Sequence, residues 1–139
     1  MRKIEVRGPN VFLEYWQRPQ ETEAAFDPDG WFRTGDIAVC ERGTYRILGR
    51  ASVDIIKTGG YKVSALEVEH ELLSHPAIGQ CAVVRVDDDE WGECVCAAVV
   101  LLRGQSLELA SLRAWAKDRL APYKVPTRMI TVDELPLNA

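Results

Sequence analysis

The 139-residue sequence carries no excess of basic charge: 17 Lys and Arg stand against 21 Asp and Glu, for a formal net charge of -4. That balance excludes the positive footprint with which proteins hold nucleic-acid backbones, and it excludes a polybasic membrane patch. No apolar run approaches the ~20 residues that a membrane helix needs, so no transmembrane segment is expected. Cysteine is sparse and wrongly spaced for metal, since Cys40, Cys81, Cys94 and Cys96 form no CxxC pair and only His70 and His75 offer imidazoles. No metal site is expected. Cys94 and Cys96 lie two apart in a strand-like run and share a face; the thiols read as reduced and buried in an intracellular protein. The phosphate loop GxxxxGK[ST] is missing too, as are internal repeats and low-complexity tracts. The opening MRKIEVRGPNVF alternates and then turns, so it reads as neither a secretory signal nor a transit peptide. Any organelle address is expected outside these residues.

What is present is ordinary globular composition, 47% hydrophobic and 27% charged, which suits one domain with a real core or a small domain carrying a piece of another. IEVRG (4–8) predicts a strand closed by Gly8 and Pro9, VFLEYW (11–16) is an apolar run up to the Arg18–Pro19 break, and PQETEAA (19–25) predicts a short helix with Pro19 near its start. DPDG (27–30) predicts a turn, and IAVC (37–40), ERG (41–43) and YRIL (45–48) a hairpin. Beyond Gly49, strands and helices alternate. VDIIK (53–57) and KV (62–63) read as strands around a double glycine, and Ser64 with Glu67 fits a capping box. Val68, Leu72 and Leu73 supply the apolar stripe of the helix that follows. CAVVRV (81–86) and ECVCAAVVLL (93–102) read as strands joined by DDDEWG. Leu112, Trp115, Ala116 and Leu120 share the face of a second helix ended by Pro122, and MITV (129–132) is a last strand. The expected class is α+β: a small mixed sheet covered by helices from 53 onward, preceded by a β-rich segment.

Three stretches are candidates for chemistry. DDDE (87–90) lacks the alternate oxygens and glycine of a calcium loop and reads as a solvated turn. In WFRTGD (31–36), Asp36 follows a glycine, where its carboxylate suits either two hydrogen bonds from a vicinal diol such as ribose or a capped turn. Gly59 and Gly60 suit a tight turn before a helix, and equally a backbone that something must approach closely.

The order of these pieces narrows the alternatives. GPNVFLEYWQRPQET, WFRTGD, YRILGRASVDIIKTGGYKVSALEVE and LAPYKVPTRMITVDELP, in that order, resemble the later core motifs of the adenylate-forming superfamily, which comprises acyl-CoA synthetases, luciferases and peptide-synthetase adenylation domains. Within it, SVDIIKTGGYKVSALEVE is most similar to the malonyl-CoA and methylmalonyl-CoA synthetases of mitochondria and plastids. The resemblance implies a ligase that joins a small carboxylic acid to coenzyme A through an acyl adenylate, using ATP and Mg2+ bound mainly by a large amino-terminal domain. It implies a boundary after Arg50, with 1–50 the end of that large domain and 51–139 a carboxy-terminal lid swinging on a hinge within Ala51, Ser52, Val53 and Asp54. On this resemblance Asp36 holds ribose, Arg50 and Lys62 attend the nucleotide phosphates, and Gly59, Gly60 and Tyr61 line the coenzyme A tunnel. Glu67 and Glu69 match the family's paired acids, with capping the role read for Glu67. The implied compartment is the mitochondrion if the synthetase resemblance holds, and otherwise the cytoplasm.

Two positions depart from the pattern. A charged hinge residue is common two places after the GR arginine, where this chain has Ser52. The family's last motif is a proline, four residues and then GK, whereas Pro136 is followed by Leu137, Asn138 and Ala139. The adenylation lysine is thus expected three positions past Ala139, and no catalytic residue is expected in the chain itself. Two other readings fit the same residues: a stand-alone lid-fold interaction module, or an adenylation domain serving a carrier protein. The fragment reading predicts that the 139-residue chain alone catalyses no pyrophosphate exchange with malonate, methylmalonate or acetate. Exchange above a protein-free control would overturn it.

Overall fold

The computed structural model describes residues 1–136; Leu137, Asn138 and Ala139, where the final motif runs out, lie outside the described residues. The chain divides into two compact units, Met1–Ser52 and Val53–Ala139.

The first unit is a three-stranded antiparallel sheet in the order β1 (Arg2–Val6), β2 (Phe32–Glu41), β3 (Thr44–Arg50), with helix α1 (Pro19–Ala25) between β1 and β2 in the chain. Its hairpin closes through Arg42 and Gly43, both at positive φ, the backbone twist that suits a two-residue connection. VFLEYW is not a strand. Its amides are used in turns instead: Val11 N donates to Gly8 O at 3.1 Å and Tyr15 N to Thr22 Oγ1 at 3.0 Å. The run serves packing, because Phe12 meets Tyr15, Phe26 and Phe32 with ring centroids 4.8, 5.5 and 4.9 Å away. DPDG forms a turn around Asp27, whose Oδ1 accepts from the amides of Asp29 and Trp31. Cys40 is exposed, contrary to the expectation of buried thiols, because it lies near the solvated hairpin end of β2.

The second unit contains β4 (Ile55–Thr58), β5 (Tyr61–Ser64), α2 (Ala65–Leu72), β6 (Ile78–Asp88), β7 (Gly92–Leu101), α3 (Leu109–Ala116), a 3-10 turn (Pro122–Lys124) and β8 (Arg128–Thr131). The sheet runs β5-β4-β7-β6, and β8 joins β7 in parallel. Strand β7 is the spine. One edge pairs with β6, while β4 meets it at Gly92 and β8 meets it from Cys96 to Val99. Val68 and Leu72 of α2, with Leu112 and Ala116 of α3, pack on Val83, Val95, Ala97 and Val99. A fully buried side chain of this kind contributes roughly 1.5–3 kcal/mol.

Local chemistry sets the element ends. Ser64 Oγ accepts from Glu67 N at 3.2 Å and starts α2. Toward its other end, Glu69 Oε1 accepts from Val83 N at 2.7 Å, tying α2 to β6. Leu73 is 49% exposed and does not belong to the buried stripe; it is the residue just past the helix, and the apolar face is already supplied by Val68 and Leu72. Helix α3 ends at Ala116, short of Pro122, and passes into a turn in which Arg119 N and Leu120 N both donate to Ala116 O. Leu120 still reaches the core from that turn. DDDEWG closes around Asp88, whose Oδ1 accepts from Glu90 N and Trp91 N and whose Oδ2 meets Arg128 at 3.0 Å.

The contrast between two adjacent leucines gives a test. Leu72→Ala is expected to cost about 2–5 kcal/mol in urea unfolding, and Leu73→Ala less than about 0.5 kcal/mol. Similar losses at both positions would contradict this packing.

Candidate functional site: a glycine turn and its aromatic wall

Strands β4 and β5 pair from Ile55↔Ser64 to Thr58↔Tyr61, leaving Gly59 and Gly60 as a two-residue connection. Both have positive φ, 53° and 82°, the combination that a hairpin of this length prefers and that side-chain-bearing residues resist. The glycines differ in surroundings. A Cβ on Gly59 would stand 2.7 Å from Trp91 Cε3, while one on Gly60 would meet nothing within 4 Å. Gly59 is therefore filled from outside by the indole, and Gly60 presents bare backbone to open space.

The turn is held from the neighbouring connection. Gly59 N donates to Trp91 O at 3.1 Å, Thr58 pairs with Gly92, and Lys57 N donates to Glu93 Oε2 at 2.6 Å. Three consecutive residues of β4 and its turn are thus fastened to Trp91, Gly92 and Glu93. DDDE (87–90), expected as a solvated turn, is largely exposed where β6 passes into the turn, and the residues beyond it, Trp91, Gly92 and Glu93, form the clamp of the glycine turn. The Trp91 amide, then other partners, holds the Asp88 carboxyl below its ordinary range, so the clamp is built on an ionised carboxylate.

Beside the turn lies an apolar cavity of about 240 Å3, bounded in part by Gly59, Tyr61, Trp91, Cys94 and Tyr123. Tyr61 and Tyr123 form one wall, stacked at a centroid distance of 4.3 Å with planes 10° apart. Behind them, Lys124 Nζ donates to Glu67 Oε1 at 2.8 Å. Tyr123 and Lys124 sit within the motif LAPYKVPTRMITVDELP, yet no spacing rule pairs them with residues 57 to 62 positions earlier. Lys62 is exposed on β5, directly across from Lys57. Two like charges so placed repel each other, and an anion between them would relieve that repulsion.

Glu69 and Cys81 are two further perturbed groups of this unit. Burial pushes the Glu69 carboxyl up, against the Val83 amide bond that lowers it, and the charge of Asp54 pushes it further up. Burial, then the charge of Glu69, drives the Cys81 thiol up to about 12, which leaves it protonated and inert near neutral pH.

In the first unit, Asp36 and Arg50 are register partners on β2 and β3, and Arg50 Nε lies 3.5 Å from Asp36 Oδ1. Within β2, Thr34 Oγ1 accepts from Asp36 N and donates to Ile4 O, each at 3.0 Å. The pair sets a carboxylate suited to diol hydroxyls beside a guanidinium suited to phosphate. Ala51, Ser52, Val53 and Asp54 form a run of turn residues between β3 and β4. Among the described residues, no group of three or more His, Cys, Asp or Glu side chains is arranged to hold a metal ion.

The two glycines separate experimentally. Gly60→Ala is expected to lose about 1–2 kcal/mol from backbone strain alone, with unchanged tryptophan emission. Gly59→Ala should lose more and shift the emission, and the shift should vanish in a Trp91→Phe background. Identical losses and spectra would show that the indole is not seated on Gly59.

The mitochondrial malonate–CoA ligase ACSF3 of Mus musculus is 57% identical over 133 residues, which are 96% of this chain and 23% of that protein. The malonate–CoA ligase of Arabidopsis thaliana is 45% identical over 148 residues, 99% of this chain and 24% of that protein. The chain thus spans about a quarter of the length of the curated relatives it matches. Among solved structures, ATP-bound MatB from Rhodopseudomonas palustris superposes with a TM-score of 0.88 at 39% identity, over 98% of this chain and 27% of that one. The o-succinylbenzoate CoA synthetase of Bacillus subtilis, in complex with its acyl-adenylate intermediate, gives 0.86 at 37% identity, over 96% and 27%. With the AMP-binding enzyme C-terminal domain model matching residues 67–139, the chain belongs to that family of adenylate-forming enzymes.

Proposed function

We propose that this chain is the C-terminal part of an ATP-dependent acyl-CoA synthetase, of the type that activates malonate or methylmalonate. The observation that carries the reading is the glycine turn: a clamped pair of positive-φ glycines, one bare to solvent, beside an apolar cavity with an aromatic wall. In the first half-reaction a substrate carboxylate oxygen attacks the α-phosphorus of ATP, and pyrophosphate leaves. In the second, the thiol of coenzyme A attacks the acyl carbonyl, forms the thioester and expels AMP.

The residues take the following parts. Asp36 accepts hydrogen bonds from the ribose hydroxyls, with Arg50 beside it offering donors to the α-phosphate. Lys62 adds positive charge for a nucleotide phosphate. Gly59, Gly60 and Tyr61 border the path of the pantetheine arm, where a thin chain must pass close to backbone. The lid turns about Ala51, Ser52, Val53 and Asp54; support comes from the division into compact units between Ser52 and Val53. The ligase's large domain is the proposed partner, and it supplies the acyl pocket and most of the ATP site. Mg2+ accompanies the nucleotide and is held mainly by the large domain; among the described residues of this chain no group of three or more His, Cys, Asp or Glu is arranged to bind it. The mitochondrial names of the Mus musculus and Homo sapiens relatives support the same compartment for the ligase.

Single-turnover kinetics on the full ligase test the assignment, with pyrophosphate release and acyl-CoA formation followed separately. Asp36→Ala should weaken both steps, since nucleotide is present in each, at about 1.5–3 kcal/mol for each charge-assisted hydrogen bond lost. Gly60→Leu should leave adenylate formation near normal while thioester formation collapses, because the added side chain points into open space rather than into the clamp. Equal loss in both steps, with folding intact by thermal melting, would reduce the glycines to a simple turn.

A further inference from the structure

The aromatic wall of the cavity has no obvious reason to stay in place. Tyr61 is 55% exposed and Tyr123 is 38% exposed, so neither ring is held by burial, and stacking between two solvated rings is a weak constraint. The more buried side chains stand behind the wall: Lys124 and Glu67, at 18% and 27% exposure, joined at 2.8 Å across 57 residues of chain. Glu67 lies in the first turn of α2, three residues past Ser64, the end of the strand that begins with Tyr61. Lys124 directly follows Tyr123 in a turn entered through Pro122, and its Nζ also stands 5.8 Å over the Tyr123 ring. A bond between these two side chains therefore draws the segment that carries Tyr123 onto the segment that carries Tyr61.

We infer that Lys124 is a positioning residue for the thiol-transfer step: its bond to Glu67 fixes Tyr123 over Tyr61 and so holds the cavity beside Gly59 in its open shape. The inference rests on the reading of the chain as part of an acyl-CoA synthetase. Without the bond, the 3-10 turn is free to shift, the rings part, and the wall must be rebuilt each time the thiol substrate enters. The cost then appears in coenzyme A binding and not in adenylate formation, since neither Lys124 nor Glu67 has a part in the first step. A merely structural bond would lower both steps together through loss of folded enzyme.

The experiment uses the full ligase with malonate, measuring pyrophosphate release and the coenzyme A dependence of thioester formation in Lys124→Met, Lys124→Arg and the double variant Lys124→Met, Glu67→Leu. Lys124→Met is expected to raise the KM for coenzyme A about tenfold, the equivalent of one charge-assisted hydrogen bond, with pyrophosphate release within about twofold of wild type. Lys124→Arg keeps the charge and the donor and should recover most of the loss. The double variant leaves no unpaired charge behind, so it folds even where the single variant does not, and it should show the same coenzyme A defect. An unchanged KM for coenzyme A in the double variant, or equal loss in both steps, overturns the inference. Wild-type ligase is the separate control. If it makes no acyl-CoA, the synthetase reading fails and this inference falls with it; if it does and the Lys124 variants keep the wild-type KM for coenzyme A, the inference alone fails.

Discussion

The amide of Gly59 donates to the carbonyl of Trp91 at 3.1 Å, and the indole occupies the space where a side chain on that glycine would begin. The position of the glycine turn depends on this contact. It joins the connection between β4 and β5 to the one between β6 and β7, so that a short hairpin at the sheet's edge takes its position from the longest strands. A two-strand ribbon is marginal by itself in water. Fastened at Lys57, Thr58 and Gly59 to Glu93, Gly92 and Trp91, it becomes a rigid lip beside the cavity.

The same arrangement explains why an acidic turn stands opposite a glycine turn. Asp88 spends one carboxylate oxygen on the amides of Glu90 and Trp91 and the other on Arg128, at the start of β8. One side chain thereby shapes the turn that carries the indole and anchors the parallel strand along β7. The neighbouring acids, Asp87 and Asp89, are exposed and have no such task. Beneath the lip, Val95 and the alternate residues Ala97 and Val99 face α2 and α3. The strand that supplies the cavity floor thus also supplies the core, and the lip cannot move far without disturbing it.

Much of this could be read from the order of residues. The helix start at Ser64, the two-residue hairpin through Gly59 and Gly60, the long paired strands and the apolar stripes of α2 and α3 all follow from local rules: a hydroxyl three residues before a free amide, positive φ that only glycine adopts cheaply, and periodicities of 2 and 3.6. Such rules act within a few residues, so they survive without knowledge of the fold. They failed at an element's end: Leu73 matches the helical stripe in type yet falls just beyond the helix and stays exposed. The apolar run VFLEYW carried no periodicity to read, and only the fold shows Phe12 packed against Tyr15, Phe26 and Phe32.

The site divides in the same way. By itself the sequence determined which backbone must be glycine and which face of each helix is apolar; it predicted Asp36 just ahead of a strand, whereas the structure puts it inside β2, across from Arg50 at the end of β3. Only the tertiary structure decided what the glycine turn leans on and what stands beside it. Trp91 is 32 residues from Gly59, Tyr123 is 62 from Tyr61 and Lys124 is 57 from Glu67. Contacts at such separations depend on which strand edges pair and where each connection ends, and those are settled only when the whole sheet closes around one core.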